Sequence, residues 1–330
     1  MAERWYGRMV TGVLVFVVLL VFVGAIVRAT GAGLGCPDWP TCWGELIPPW
    51  KVEQIDPEKL NYERFEKKAE RLGRDPATVT PEHILESFNP VHTWTEFVNR
   101  LVSLPVGGFS LAAVVFSFFL PRGKRRLHVS LSLLSLGIIL FNAWMGAMVV
   151  YSGLKPGIIT LHLALAMGLL CLLVFCRWHI RGCARKPVSS KLAWSVWGLL
   201  FLVIIEGIVG SQVREMTDEL ARSHVGEQRE QWIGELEGSA IYLFHRSFSW
   251  LIVLGTALAV WRAWQEQVVD WRVRVLASLV FAMMVMGIIL AHVGVFPWVQ
   301  VLHVGVAAIM VVLLCGWGLE LGKGMRGQRA

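Results

Sequence analysis

The stretch MGAMVVYSGLKPGIITLH, residues 145–162, closes one long apolar run and opens another after a short turn carrying Gly153 and Pro156. Residues 286–303, MGIILAHVGVFPWVQVLH, do the same. Laid together without gaps, Met145-Gly146 falls on Met286-Gly287, Gly153 on Gly294, Pro156 on Pro297 and His162 on His303. An apolar run of about 20 residues is the length a helix needs to cross bilayer hydrocarbon, so each stretch reads as the tip of a hairpin of membrane helices. Working outward, two more stretches repeat: Gly24-Ala25-Ile26-Val27-Arg28 against Gly210-Ser211-Gln212-Val213-Arg214, and Phe97-Val98-Asn99-Arg100 against Leu243-Phe244-His245-Arg246. The chain is therefore expected to be an all-α integral membrane protein made of two related four-helix bundles, residues 1–187 and 188–330.

The composition agrees. The chain is 55% hydrophobic, with a mean hydropathy of +0.57, well above the soluble norm. Spans are predicted at about 9–27, 98–120, 129–150, 158–176, 192–211, 239–261, 274–295 and 299–319. Trp5, Trp43, Trp50, Trp178, Trp261 and Trp298 fall near span ends, where the indole suits the membrane interface. The net charge of +7 does not point to nucleic acid, because it is distributed over alternate connections. Arg4/Arg8, Arg122/Lys124/Arg125/Arg126, Arg177/Arg181/Arg185/Lys186/Lys191, Arg262/Arg272/Arg274 and Lys323/Arg326/Arg329 all lie on one predicted side. The bias of Lys and Arg toward the cytoplasm places these segments and both termini there. The first span reads as an uncleaved anchor, since it is long and runs directly into Arg28.

The other connections lie outside. The loop from about 28 to 96 is long and charged, with a helical pattern from Pro57 to Arg71; its counterpart, about 212 to 238, is shorter, acidic-rich and suited to a helical turn. Cys36 and Cys42 share the long loop, where an oxidising compartment permits a disulfide, and a redox pair is the alternative reading. Cys171, Cys176, Cys183 and Cys315 read as small apolar fillers.

Ionisable residues inside a span are costly, which makes them functional candidates. His162, His245 and His303 lie at similar depth near the outer face, together with Asn99. One such His is commonly a helix–helix hydrogen bond, but three at matched depth, two of them related by the repeat, suit a haem iron. Helix bundles build such sites between facing helices. The repeat pairs His245 with His303 in the second half but Asn99 with His162 in the first, so only the second half offers two imidazoles.

Glu96 precedes Asn99 by three positions and shares its helix face; Tyr242 stands in the matching place. The plain alternative is an exposed carboxylate at a helix N-terminus. His92 sits a turn further out. Arg28, Arg100, Arg214 and Arg246 lie where haem propionates would emerge and suit carboxylates, with snorkelling to the interface as the other reading. His292 reads as a polar residue at a helix end, and His83, His128, His179 and His224 as loop or interface residues.

The residues Gly24 to Leu34, followed by Cys36-Pro37-Asp38-Trp39-Pro40-Thr41-Cys42, resemble the first outer loop of haem A synthases. Glu96 to Arg100, Ser152 to Pro156 leading into His162-Leu163, His245-Arg246 and His303 resemble the same family, so the likeness runs from about residue 7 to 318. It implies oxidation of the C8 methyl of haem O to a formyl group through a hydroxylated intermediate. It implies further that His245 and His303 ligate haem b, that His162 faces the substrate haem iron, that Glu96 is the carboxylate of the reaction and that Cys36 and Cys42 form the outer-loop pair. Haem O is then the substrate, with haem O synthase and cytochrome oxidase assembly factors as expected partners and a homo-oligomer compatible with the chain. In a bacterial cell the location would be the inner membrane.

Many members have His where this chain has Asn99. An amide is a poor iron ligand, so the substrate iron is expected to be five-coordinate on His162, or to hold a water that Asn99 hydrogen-bonds. Two other classes fit parts of the pattern. A di-haem cytochrome taking electrons from quinol would need no Glu/Tyr asymmetry, and a haem carrier would hold no permanent second haem.

Overall fold

The computed structural model describes residues 1–71, 75–76, 79–152, 157–183, 185–224 and 226–322; the Gly153–Pro156 turn and the basic tail residues Lys323, Arg326 and Arg329 lie outside these. In chain order the described α-helices are α1 (Ala2–Ala29), α2 (Tyr62–Arg71), α3 (Pro81–Glu86), α4 (Pro90–Phe118), α5 (Arg122–Tyr151), α6 (Ile158–Arg181), α7 (Ser190–Ser223), α8 (Arg229–Glu237), α9 (Ala240–Gln265), α10 (Trp271–His292) and α11 (Pro297–Glu320). Eight of them, all but α2, α3 and α8, are long and apolar enough to cross a membrane, as expected from the hydropathy.

Local chemistry sets the helix starts. Asn89 caps α4 by accepting from the N–H groups of Val91 and His92, with Pro90 in the first turn. Ser189, Ser239 and Asp270 cap α7, α9 and α10 in the same way. Such caps satisfy donors that have no intrahelical partner. The cap at Asn89 decides between the two readings of Glu96: α4 begins about two turns before the predicted span, so Glu96 lies within the helix and is buried, not exposed at its start. At the far end, α7 continues to Ser223, past the predicted limit near 211.

Helix neighbours repeat between the halves. In the first, α1 packs on α4 and α6, and α5 on α4 and α6; in the second, α7 packs on α9 and α11, and α10 on α9 and α11. Each set closes into a ring in which α4 faces α6, and α9 faces α11, across the middle. The halves meet through α1 with α11, α6 with α7, and α6 with α11. Gly305 on α11 makes room for one of these contacts: a Cβ there would lie 2.0 Å from the ring of Phe22 on α1. Small residues are what allow membrane helices to pack so closely. The outer faces are apolar, with Trp194 74% and Phe281 73% exposed, which suits lipid contact.

The basic connections gather at one end of the molecule. Lys124 pairs with Glu3 at 3.0 Å, Lys186 with Asp270 at 3.2 Å, and Arg272 with Glu320 at 2.6 Å. Arg262 donates to the backbone of Lys191, and residues Lys186–Pro187 form a short parallel pairing with Leu321–Gly322.

His128 and His179 depart from their reading as loop or interface residues. Both lie inside helices, because α5 and α6 extend well beyond the apolar runs toward the basic end. His128 Nε2 is 3.0 Å from His179 Nδ1, and His128 Nδ1 is 3.2 Å from the Tyr6 hydroxyl, which meets Ser132 Oγ at 3.1 Å. His128 and Tyr6 are fully buried, and the cluster joins α1, α5 and α6 as a satisfied polar core.

Candidate functional site

At the opposite end, the candidate residues sit on helices that face each other across each ring. Asn99 lies on α4 and His162 on α6; His245 lies on α9 and His303 on α11. His245 and His303 are within electrostatic reach of one another. The backbone of Asn142 on α5 lies beside the His162 ring. Among the described residues, Nδ1 of all three histidines and Oδ1 of Asn99 and Asn142 are buried without an aligned hydrogen-bond partner. Buried polar atoms are nearly always paired, since each orphan costs about 1–3 kcal/mol. Five orphans on helices lining the two ring interiors are therefore a strong sign of binding sites.

The repeat extends to the surface beneath these side chains. Gly210 on α7 lies under His245, where a Cβ would approach Cε1 to 3.0 Å. Gly24 on α1, its repeat partner, lies under Asn99, with a Cβ 3.9 Å from Oδ1. Gly210→Ala should therefore displace the His245 ring and weaken whatever that imidazole binds, whereas Gly24→Ala should be tolerated. The absorption spectra of the two purified variants test this contrast; equal behaviour would contradict it.

The outer loop is docked over α4. Cys36 and Cys42 form a disulfide, as expected for the oxidising side. Asp38 ties the loop by accepting from the backbone of Trp43 (2.7 Å) and Gly44 (3.0 Å). Gly35 sits so close to α4 that a Cβ would come within 2.4 Å of the His92 carbonyl oxygen. Glu96 receives the backbone N–H of Cys36 at 2.9 Å and the Arg100 guanidinium at 2.7 Å. Arg100 also donates to the carbonyls of Thr41 (2.7 Å) and Asp38 (3.0 Å). Glu96 and Arg100 thus connect the helix bearing Asn99 to the disulfide loop, with Glu96 4% exposed.

Of the other arginines, Arg28 and Arg214 are brought together by Asp218 on α7, at 3.2 and 2.8 Å. Their repeat relation thereby becomes a direct contact between the halves. Arg246 is exposed.

Four acidic or amide residues in this region escaped the sequence reading. Asp218 is one and Asn142 another. Glu215, on α7, accepts from the N–H groups of Gly157 (3.0 Å) and Thr160 (3.2 Å) and from the Thr160 hydroxyl (3.0 Å). It thereby caps the start of α6, the helix that carries His162, from the other half; an anion at a helix N-terminus is favoured by the exposed N–H groups and the dipole. The fourth is Glu206, whose Oε1 lies 3.2 Å from His245 Nδ1. The rule that flags ionisable residues inside spans would have selected Glu206 within the predicted span 192–211. It has no acidic counterpart, because the repeat places Leu20 there, so comparing the halves passes over it.

The chain is a multi-pass helical bundle with imidazoles on facing helices of one ring and an amide and an imidazole on facing helices of the other, side chains of the kind helix bundles use for cofactor sites. Residues 7–315 match the family of cytochrome oxidase assembly proteins, COX15-CtaA, and the chain belongs to that family. Among curated relatives, it is 25% identical to the haem A synthase of Rhizorhabdus wittichii, over 94% of this chain and 93% of that one. It is 24% identical to the haem A synthase of Sphingopyxis alaskensis, over 96% and 92%. The haem A synthase of Shewanella oneidensis is 28% identical over 60% of this chain, a match spanning 52% of that enzyme.

Proposed function

We propose that this chain is a haem A synthase, a membrane oxidoreductase that converts the C8 methyl of haem O to a formyl group. The substrate haem sits in the first half, residues 1–187, and a resident haem b in the second, residues 188–330. Family membership supports the pathway, and the unpartnered imidazoles on facing helices support the ligand. The second site fits haem b on its own chemistry: His245 and His303 approach from opposite helices, and neutral imidazole is a strong iron ligand. Haem b held this way supplies electron transfer.

The chain's own residues divide the remaining work. His162 holds the substrate iron from α6, a helix whose start Glu215 fixes. Asn99 lies opposite on α4, where its unpartnered amide oxygen would hydrogen-bond a water and would not ligate the iron. Glu96 lies on the same face as Asn99, where its carboxylate would hold or pass protons as the methyl is oxidised. The disulfide loop covers the end of α4 and keeps Glu96 from bulk water. Arg28, Arg100, Arg214 and Arg246 offer guanidinium groups to propionates at the outer boundary. The basic end, with both termini, faces the cytoplasm.

Co-expression with a haem O synthase, in a host lacking haem A, tests this reading. Chromatography of extracted haems is expected to show haem A or its hydroxylated precursor. Unchanged haem O beside bound haem b, with the folded protein and an electron donor present, would favour an electron-transfer cytochrome or a carrier.

A further inference from the structure

Glu206 is a carboxylate in the middle of a membrane helix, on α7, and only part of it is satisfied. Its Oε1 lies 3.2 Å from Nδ1 of His245, within ion-pair distance but not in hydrogen-bond alignment. Ser249 Oγ, one turn along α9 from His245, donates to the same Oε1 and also reaches the His245 carbonyl at 2.9 Å. Oε2 is buried and has no hydrogen-bond partner among the described residues. A carboxylate in such a place costs several kcal/mol unless it serves another group. The group it adjoins is the imidazole assigned to the haem, and Gly210, one turn further along α7, limits where that ring can lie.

We propose that Glu206 is a positioning residue for the haem ligand His245: it accepts the Nδ1 proton, fixes the tautomer that presents Nε2 to the iron, and makes this imidazole the stronger donor of the pair. This rests on the haem b reading of His245 and His303. Iron held through Nε2 leaves Nδ1–H as a donor, and a carboxylate partner there both orients the ring and raises its basicity. A more basic ligand and a nearby negative charge each favour ferric over ferrous iron, so Glu206 lowers the reduction potential of this haem. His303 has no such carboxylate among the described residues, so the two axial ligands are unequal. The first half carries Leu20 at the repeat position and Asn99 instead of a ligand imidazole. The device therefore belongs to the cofactor half alone, where a lower potential helps electrons leave toward the substrate site. A purely structural tie between α7 and α9 would need only the Ser249 hydrogen bond.

The test is redox titration and ferric low-spin EPR of the purified full-length protein, as wild type, Glu206→Gln and Ser249→Ala. Glu206→Gln keeps an oxygen for Ser249 but removes the charge; its haem potential is expected to rise and its EPR g-values to move toward those of neutral bis-imidazole ligation. Ser249→Ala leaves the carboxylate in place but loosens it, and a smaller shift in the same direction is expected. If Glu206→Gln retains haem with wild-type potential and g-values, the inference is overturned while the haem b reading stands. If Glu206→Gln holds no haem, the shift in Ser249→Ala decides: an unchanged potential there overturns the inference. A wild-type protein without a low-spin bis-imidazole signal would overturn the haem b reading, and the inference with it.

Discussion

His245→Ala and His303→Ala are each expected to abolish the low-spin haem b spectrum of the purified protein. The two imidazoles project from α9 and α11, which face each other across the ring and are not packed side by side. Among the described residues neither histidine makes an aligned hydrogen bond at Nδ1, although the Glu206 carboxylate lies 3.2 Å from that of His245. With one removed, six-coordinate ligation by two imidazoles is impossible, and the facing helix offers no substitute at that depth. The fold should survive, because the contacts that hold the second ring lie elsewhere. Leu199, Leu276 and Leu314 form its buried core, and Arg272 with Asp270 and Glu320 secures its basic end. Difference spectroscopy of both variants measures the effect; normal low-spin spectra from both would remove the cofactor assignment.

The second large effect is expected of Glu96→Gln: formyl production falls by on the order of 100-fold or more, the usual weight of a positioned proton donor or acceptor, while haem b is retained. The substitution is a clean one. Glutamine has the size of glutamate, and its carbonyl oxygen can still accept the Cys36 N–H that Glu96 receives at 2.9 Å. What disappears is the charge, and with it the 2.7 Å ion pair to Arg100. Arg100 keeps its bonds to the Thr41 and Asp38 carbonyls, so the disulfide loop should remain docked. Resistance of the loop to limited proteolysis, compared with wild type, checks that point independently of turnover. Unchanged conversion of haem O would reduce Glu96 to an anchor for the loop.

Much of this architecture is legible in the sequence because a bilayer imposes strong rules. Long apolar runs announce the spans, and the repeat relates His162 to His303 and Asn99 to His245. What the repeat does not select is a polar residue whose counterpart is apolar and lies outside the matched stretches. Glu206, Glu215 and Asn142 have no like partner, and although its place in a span could have flagged Glu206, what each one touches is visible only through a contact or an unpaired atom. Helix ends were also obscured, because polar helical turns continue past the hydrocarbon. That is why Glu96 proved buried within α4, and why His128 and His179 proved to be a hydrogen-bonded pair inside helices. The arginines show a further limit: sequence aligns Arg28 with Arg214, but not the Asp218 that holds them together across the halves.

The division into a substrate half and a cofactor half is tested most directly by the haem content of His162→Ala beside that of wild type, both purified after co-expression with a haem O synthase. Wild type is expected to carry haem b together with haem O or its oxidised products. The variant is expected to keep haem b with an unaltered low-spin spectrum, and to lose haem O, its hydroxylated form and haem A. Loss of the low-spin haem b from His162→Ala, with haem O oxidation intact, would contradict the assignment of the two halves.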